Sequence, residues 1–154
     1  MLKFKNCPFC GHEPHIRMNV EEKNFEEEYF VTLGCGCSLD DEIDGLALSL
    51  DDVEETIDEC IEKWNEQVDS INRVRAKTKK CPYCSRKPLV NIGRIYGFGE
   101  SHRDITIECK CHMMPEVYEK EKFWGDYYGI EKRSANKWNK NVDQIEYSIS
   151  RLNR

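Results

Sequence analysis

The chain has little of the apolar material from which a self-sufficient core or a membrane span is built. Hydrophobic residues make up 39% of its 154 residues and charged residues 34%. No apolar run approaches the roughly 20 residues that a membrane-spanning helix requires, and the N-terminal stretch MLKFKNCPFC has no apolar secretory segment. These absences predict a cytoplasmic protein without a membrane partner, in which thiols stay reduced.

The common catalytic motifs are also missing. The sequence has no nucleophile elbow, no phosphate-binding loop, no HExxH motif and no glycine-rich dinucleotide loop. Its four histidines, His12, His15, His102 and His112, do not occur at equivalent positions of the repeat described below. We therefore predict that the protein is not an enzyme.

Cysteine, by contrast, is abundant, and its positions show a tandem repeat. Eight of the nine cysteines form two sets in which each member of the second set lies 74 positions after its counterpart. The same offset relates Trp64 to Trp138 and Asn65 to Asn139, and no gap is needed anywhere. The chain is thus a duplication with a predicted boundary after residue 75, giving unit one at 1–75 and unit two at 76–154. The two sets are Cys7, Cys10, Cys35 and Cys37, and Cys81, Cys84, Cys109 and Cys111.

Each repeat is predicted to be a β-hairpin followed by an amphipathic helix. Alternating apolar and polar residues predict the strands, and apolar residues spaced by threes and fours predict one buried seam on each helix. Ser49 is the predicted N-cap of the first helix, and Gly97 and Gly99 suit the turn of the second hairpin. The predicted strands are 15–20, 29–34, 89–96 and 104–108; the seams are Val53, Ile57, Ile61, Trp64, Val68 and Ile71, and Ala135, Trp138, Val142, Ile145, Ile149 and Leu152.

Each set of four cysteines is predicted to hold one structural Zn²⁺. Two thiolates from a CPxC turn and two from a CxC turn, brought together by a hairpin, supply the tetrahedral sulfur site that zinc prefers. Four protein ligands leave no position for a catalytic water. The predicted fold is therefore a small α+β protein of two tandem zinc ribbons, each a β-hairpin with zinc knuckles plus a C-terminal helix.

Some alternatives to this ligand set stay open in the sequence. The cysteines could be free or disulfide-paired, the metal could be iron, and His112 could replace a sulfur beside Cys111. Cys60 has no cysteine counterpart and is surrounded by acids, so we predict a partly buried bystander. Trp64 and Trp138 are predicted to be core residues that cover the cysteine sites, and Asn65 and Asn139 to hydrogen-bond the local backbone.

The arrangement of these motifs resembles the Lar-like restriction alleviation proteins, which are small zinc-ribbon proteins of phages and prophages. The matching parts are the CPFCG and CPYC turns, the closing cysteine pairs Cys35–Cys37 and Cys109–Cys111, and the WN pairs of the helices. The family usually has one unit and closes its ribbon with CxxC, whereas this chain has two units closed by CxC. The resemblance implies an anti-defence protein of the host bacterial cytoplasm that binds a restriction-modification or other defence enzyme.

Charge is divided unequally between the repeats. Residues 1–75 have 7 basic and 19 acidic side chains, a net charge of −12, and residues 76–154 have 16 and 10, a net charge of +6. The acidic unit suits a basic protein groove, in which it could mimic DNA, or it is simply a solvated surface. The basic unit is the candidate for nucleic acid, because cations beside aromatic residues suit single strands. That surface comprises Lys77, Lys79, Lys80, Arg86, Lys87, Arg94, Arg103 and Lys110, with Tyr96 and Phe98.

Two further roles are consistent with this charge division. The acidic and basic units could attract each other within one chain, or between two chains of a homodimer. The helix seams are equally compatible with a structural dimerisation module, since a seam does not reveal which chain covers it.

Overall fold

A computed structural model describes residues 2–23, 26–37, 43–97, 100–122 and 127–153 of the chain. Its contacts divide the chain into two compact units, residues 1–69 (unit 1) and 70–154 (unit 2). The helix that begins in unit 1 continues past this division, so that its last eight residues, 70–77, belong to unit 2. In the described part of the chain, neither long helix has an apolar stretch of the length that crosses a bilayer.

The two sets of secondary-structure elements repeat at the offset of the sequence. Each set has three strands followed by one long helix. The starts of all three strands and of the helix in the second set lie 74 positions after their counterparts in the first. The first set is β1 (His15–Lys23), β2 (Glu26–Gly34), β3 (Ile43–Ala47) and α1 (Val53–Lys77), and the second is β4 (Leu89–Gly97), β5 (Glu100–Glu108), β6 (Val117–Lys122) and α2 (Tyr127–Leu152).

The strands of each set form a three-stranded antiparallel sheet with the central strand second in the chain, in the orders β1-β2-β3 and β4-β5-β6. The registers also correspond, since His15 pairs with Gly34 in the first sheet and Leu89 with Glu108 in the second. The prediction of a small α+β protein is confirmed at this level. The predicted two-stranded hairpin was incomplete, because a third strand pairs with the second strand in each sheet.

The start of α1 lies close to its predicted position. A 3₁₀ turn (Leu50–Asp52) precedes the α-helix, and Ser49 is its N-cap residue. The Ser49 hydroxyl donates a hydrogen bond to the Asp52 carboxylate at 2.7 Å rather than to a backbone amide. Acidic residues in the first turn of the helix favour this start because they lie at the positive end of the helix dipole.

The buried core of each unit is the helix seam packed on one face of the sheet. Ile61, Trp64 and Ile71 of α1 are fully buried, as are Trp138 and Val142 of α2. The prediction of one wholly buried seam per helix was wrong for the end of α2. There Ile149 is 36% exposed and Leu152 is 87% exposed.

Candidate metal centres

The two CPxC turns have the same backbone hydrogen bonds. The amide of Cys7 donates to the carbonyl of His12 at 2.8 Å, and the amide of Gly11 donates to the carbonyl of Cys7 at 2.9 Å. The amide of Cys81 donates in the same way to the carbonyl of Arg86 at 2.9 Å. The residue after the second cysteine has a left-handed backbone in both turns, with φ of 76° at Gly11 and 58° at Ser85. This conformation suits glycine, so Ser85 adopts it at a modest cost.

The CxC turns differ between the units. In the first, Gly36 between the two cysteines has a φ of 64°. In the second, the left-handed residue is His112, with a φ of 55°, and its amide donates to the carbonyl of Cys109 at 2.9 Å. The backbone of His112 therefore completes a turn behind the cysteine pair.

Both predicted cysteine sets come together in space. In each set, all four sulfur atoms lie within 4.8 Å of one another. The closest approaches between the two turns are 3.4 Å for Cys7–Cys37 and 3.1 Å for Cys10–Cys35 in the first cluster. The second cluster has 3.6 Å for Cys81–Cys111 and 3.3 Å for Cys84–Cys109.

These separations fit a tetrahedral metal better than they fit disulfides. A disulfide joins two sulfurs at about 2.05 Å, and all eight cysteines are free thiols in this structure. Four sulfurs bound to zinc at about 2.3 Å lie roughly 3.8 Å from one another. The clusters therefore need only small adjustments of their sulfur positions to hold one metal ion each.

The electrostatics of the thiols also favour a bound cation. Burial is the main cause that raises the pKa of Cys7 and Cys81, and it raises the pKa of Cys109 to about 12. The exception is Cys84, since the backbone amide of Arg86 holds its pKa at about 6. Four neighbouring thiolates are stable together only when a positive charge offsets their repulsion, and a divalent metal supplies it.

The two other candidate residues lie outside these clusters. His112 is not among the donor atoms that meet at the second cluster, which consists of four sulfurs. Cys60 is 1% exposed, so it is more buried than the sequence predicted, and burial raises its pKa. A side chain at Gly45 of β3 would come within 2.8 Å of the Cys60 sulfur. Cys60 thus packs between α1 and β3, which is a structural role.

The WN pair of each helix holds the segment before the CPxC turn. In unit 1 the Trp64 indole donates to the carbonyl of Lys5 at 2.8 Å. The Asn65 amide accepts from the backbone of Lys5 at 2.7 Å and donates to the carbonyl of Lys3 at 2.9 Å. Both tryptophans are fully buried core residues. The asparagines do bond to backbone, but to a segment about 60 residues away rather than to the local backbone.

Unit 2 repeats this arrangement. Trp138 donates to the carbonyl of Lys79 at 3.0 Å, and Asn139 exchanges hydrogen bonds of 2.7 and 2.9 Å with the backbone of Lys79 and Lys77. An ion pair adds to each tether, between Lys5 and Asp69 in unit 1 and between Lys79 and Asp143 in unit 2. The segment that leads into the first two ligands is therefore fixed to the helix at the same points in both units.

We expect Asn65→Ala and Asn139→Ala each to destabilise their own unit by about 1–3 kcal/mol, because two backbone groups lose their partner. The affinity for metal should fall in the same unit, since the CPxC turn is no longer held against the helix. Thermal unfolding and competition for zinc with a chromogenic chelator measure the two effects. Asn136→Ala, an exposed substitution on the same helix as Asn139, is the control and should change neither.

The cations of unit 2 are less available than the sequence suggested. Arg103 is only 7% exposed, and its guanidinium donates to the Ser70 hydroxyl. The Lys87 ammonium bonds to the carbonyls of Arg75 and Thr78 near the end of α1. Lys79 is paired with Asp143, as described above. Of the other residues predicted for a nucleic-acid surface, Lys77, Lys80, Arg86 and Lys110 are exposed, while Phe98 and the side chains of Arg94 and Tyr96 lie outside the described residues.

A buried ionic cluster in unit 2 was missed by sequence reasoning. Glu131 of α2 is fully buried and accepts two hydrogen bonds from Arg73, at 2.9 and 3.0 Å, and one from Ser70. Arg103 lies 3.6 Å from the same carboxylate. Burial alone would raise the pKa of Glu131, but the bonds from Arg73 and Ser70 outweigh it and lower the pKa. The sequence contains one sign of this cluster, which is that its charged residues are not repeated. Ile57 and Tyr29 stand at the positions of the first repeat that correspond to Glu131 and Arg103.

Comparisons with protein-family models, with curated proteins and with solved structures give no significant match for this chain.

Proposed function

We propose that the chain is a protein-binding adaptor built on two structural zinc sites, one held by each cysteine cluster. The observation that carries the metal assignment is the convergence of four sulfurs in each unit at separations close to those of a zinc–sulfur tetrahedron. Zinc would supply the positive charge that lets the thiols ionise together. With four protein ligands, neither ion has a position for a reacting water, so the role assigned to zinc is structural.

The proposed partner is a host restriction-modification or other defence enzyme, as the resemblance to the restriction alleviation proteins implies. The acidic surface of unit 1 supports a basic partner surface. We define this acidic surface by exposed carboxylates at the end of the first hairpin and along the first turns of α1. Its members are Glu21, Glu22, Glu26, Glu27, Asp51, Asp52, Glu54, Glu55, Glu59 and Glu62.

The negative charge of this surface is compatible with mimicry of a DNA backbone. Proteins that bind DNA use grooves lined with lysine and arginine, and such a groove would attract a surface of this sign. Long-range attraction speeds the encounter and weakens as salt is added. The acidic surface therefore favours a protein partner whose basic groove normally binds nucleic acid.

Nucleic-acid binding through unit 2 is the alternative, and the intramolecular contacts of Lys79, Lys87 and Arg103 weigh against it. A cation that is buried or already bonded to a carboxylate or carbonyl has little free energy to gain from a phosphate. We therefore favour the protein partner over the nucleic acid.

The proposal is tested in cells that carry an active restriction-modification system. Expression of the chain is expected to raise the plating efficiency of unmodified phage, and the purified chain is expected to bind the purified restriction enzyme. Glu54→Gln/Glu55→Gln/Glu59→Gln/Glu62→Gln should weaken both effects, since it removes four charges from the acidic surface. Glu116→Gln/Glu146→Gln, at exposed positions of unit 2, is the control and should weaken neither.

The nucleic-acid alternative is tested in the same preparation with gel shifts on single-stranded and double-stranded probes at low and moderate salt. We expect no complex at moderate salt. Unchanged plating together with salt-sensitive binding of a probe would replace the proposed function with the alternative.

A further inference from the structure

The first strand of each sheet is an edge strand, and the two edge strands differ greatly in how deeply their apolar side chains are buried. On β4, Val90 is fully buried and Ile92 is 3% exposed. Their counterparts on β1, Ile16 and Met18, are 38% and 49% exposed, and Val20 on the same side of β1 is 50% exposed. These three side chains alternate along the strand and so form one apolar face. We call this set, Ile16, Met18 and Val20, the β1 face.

The β1 face belongs to the core side of its sheet. Ile16 pairs with Leu33, and Met18 pairs with Val31 on β2, and paired residues point to the same side of a sheet. Leu33 is fully buried and Val31 is 1% exposed. The core of unit 1 therefore continues onto β1, where no segment among the described residues covers it.

Residues 70–78, which are the end of α1 and the residue after it, pack into the core of unit 2. Ser70, Val74 and Thr78 are each at most 2% exposed. Ser70 accepts a hydrogen bond from Arg103, which shares its side of β5 with the buried core residues of that strand. Since α2 contacts β5 and β6, we infer that residues 70–78 cover the β4 side of the sheet.

The repeat places an equivalent of this covering segment at the end of α2, where its large apolar side chains are exposed. At the offset of the repeat, residues 70–78 correspond to residues 144–152. Tyr147 is 64% exposed, Ile149 36% and Leu152 87%. Tyr147 and Leu152 stand at the positions of Arg73 and Thr78, whereas Ile149 stands at the position of Arg75 on another side of the helix. We call residues 144–152 the α2 end.

Where the two repeats differ, the residue on the covering segment and the residue that it contacts differ in a matched way. In unit 2, Arg73 of the covering segment bonds to Glu131 of α2. The counterpart of Arg73 on the α2 end is Tyr147, and the counterpart of Glu131 in unit 1 is Ile57. A charged pair is thus replaced on both sides by an apolar pair, which would preserve complementarity if the α2 end met unit 1.

Other positions show the same matched change. The polar Thr78 corresponds to Leu152 on the α2 end, and the cationic Arg103 corresponds to Tyr29 in unit 1. The charges of the two halves are also opposite, at −12 for residues 1–75 and +6 for residues 76–154. Both the apolar contact and the surrounding charge therefore favour the same pairing.

From these observations we propose that the α2 end of one copy of this chain covers the β1 face of a second copy, so that the protein associates head to tail. The two surfaces differ, and two copies that each cover the other form a closed two-fold dimer in which the contact occurs twice. The association is independent of the proposed function, because its surfaces include neither a zinc ligand nor a carboxylate of the acidic surface.

Two contacts of unit 2 have no counterpart in this pairing. The fully buried Val74 of the covering segment corresponds to the polar Ser148 on the α2 end. Lys87 bonds to the last carbonyls of α1, and Glu13 stands at the corresponding position of unit 1. An acid cannot donate to the carbonyls of the α2 end, so we expect a dimer that dissociates on dilution rather than a permanent one.

The test is sedimentation of the zinc-loaded full chain over a range of concentrations. The wild type is expected to shift from the monomer mass of 18.2 kDa toward twice that mass as concentration rises. Tyr147→Glu and Met18→Glu should each remain monomeric while keeping the far-ultraviolet circular dichroism of the wild type. Leu48→Glu, at a side chain that is 70% exposed outside both surfaces, is the control and should associate like the wild type.

Mixing the two variants distinguishes a contact between the α2 end and the β1 face from a contact of either surface with its own copy. The Met18→Glu chain still has an intact α2 end, and the Tyr147→Glu chain still has an intact β1 face, so the mixture should form a one-to-one pair. A wild type that stays monomeric at about 0.5 mM, where only contacts weaker than millimolar escape detection, would overturn the proposal. So would a mixture that fails to associate while the wild type does.

Discussion

Removal of zinc is expected to unfold each unit. The apolar core of a unit is small, and structural zinc contributes on the order of 10 kcal/mol to the folding of small metal-binding domains. That exceeds the net stability of most domains of this size. Far-ultraviolet circular dichroism should show loss of the native spectrum after treatment with a strong chelator and recovery when zinc is returned. Elemental analysis of the untreated chain should find two zinc ions per chain.

Single cysteine variants assign each ion to its cluster. Cys10→Ser and Cys84→Ser should each reduce the zinc content from two ions to one, since each removes a ligand from one cluster. Cys60→Ser, at the cysteine outside both clusters, should leave the content at two, as should His112→Ala. A chain that contains no metal, or whose spectrum is indifferent to the chelator, would exclude the zinc assignment and the adaptor built on it.

Loss of the buried carboxylate in unit 2 should have the second largest effect. Glu131→Ala is expected to lower the free energy of unfolding by about 3–5 kcal/mol, because it removes the carboxylate that lies 3.6 Å from buried Arg103. Arg73 adds less to this cost, because its side chain is 41% exposed and can reach water. Chemical denaturation of the zinc-loaded chain measures the difference. Glu119→Ala breaks an exposed pair with Lys137 and should cost at most about 1 kcal/mol.

The repeat itself provides a way to rescue this loss. Arg103→Tyr/Glu131→Ile introduces the residues that unit 1 has at these positions, Tyr29 and Ile57. Replacing both partners of a buried ion pair with apolar groups is often neutral, so we expect the double variant to be more stable than Glu131→Ala. A double variant that is less stable than Glu131→Ala would show that the cluster serves more than charge compensation.

The effect of Glu131 should also depend on pH, with a sign set by its lowered pKa. The unfolded chain binds a proton at the ordinary value of 4.5, and the folded chain binds it at lower pH. The stabilisation from the carboxylate is therefore complete above 4.5 and is lost as pH falls through the folded value. The difference in stability between wild type and Glu131→Ala should be constant near neutral pH and shrink only in acid.

The predictions that agree best with the structure are those for residues repeated at the offset of 74 positions. The offset of 74 positions correctly brought together the members of each cysteine set, and it placed Trp64 and Trp138 in the core. Such features follow from residue type and spacing, because a thiol set and a buried indole have few alternative roles. The third strands were missed because their composition is poor in strand-forming residues. Asp44 and Gly45 in β3 and the charged run at the end of β6 resemble loop sequence.

The roles of polar residues were harder to predict. Asn65 bonds to a segment about 60 residues away, and no local pattern indicates which distant backbone group an amide will meet. Arg103 was assigned to a surface for nucleic acid, yet it is buried beside Glu131. A charge can be buried only where several partners from different elements converge on it, and that convergence exists only in the folded chain.

By itself the sequence determined that the protein is a duplication, that each repeat gathers four cysteines, and that each repeat is an α+β unit with one amphipathic helix. Tertiary structure alone decided which apolar surfaces are covered. Val90 and Ile16 stand at equivalent positions of the repeat, yet the first is buried and the second is exposed. The physical reason is that hydrophobic patterning specifies which face of an element avoids water, whereas the segment that shields it depends on where distant parts of the chain come to lie.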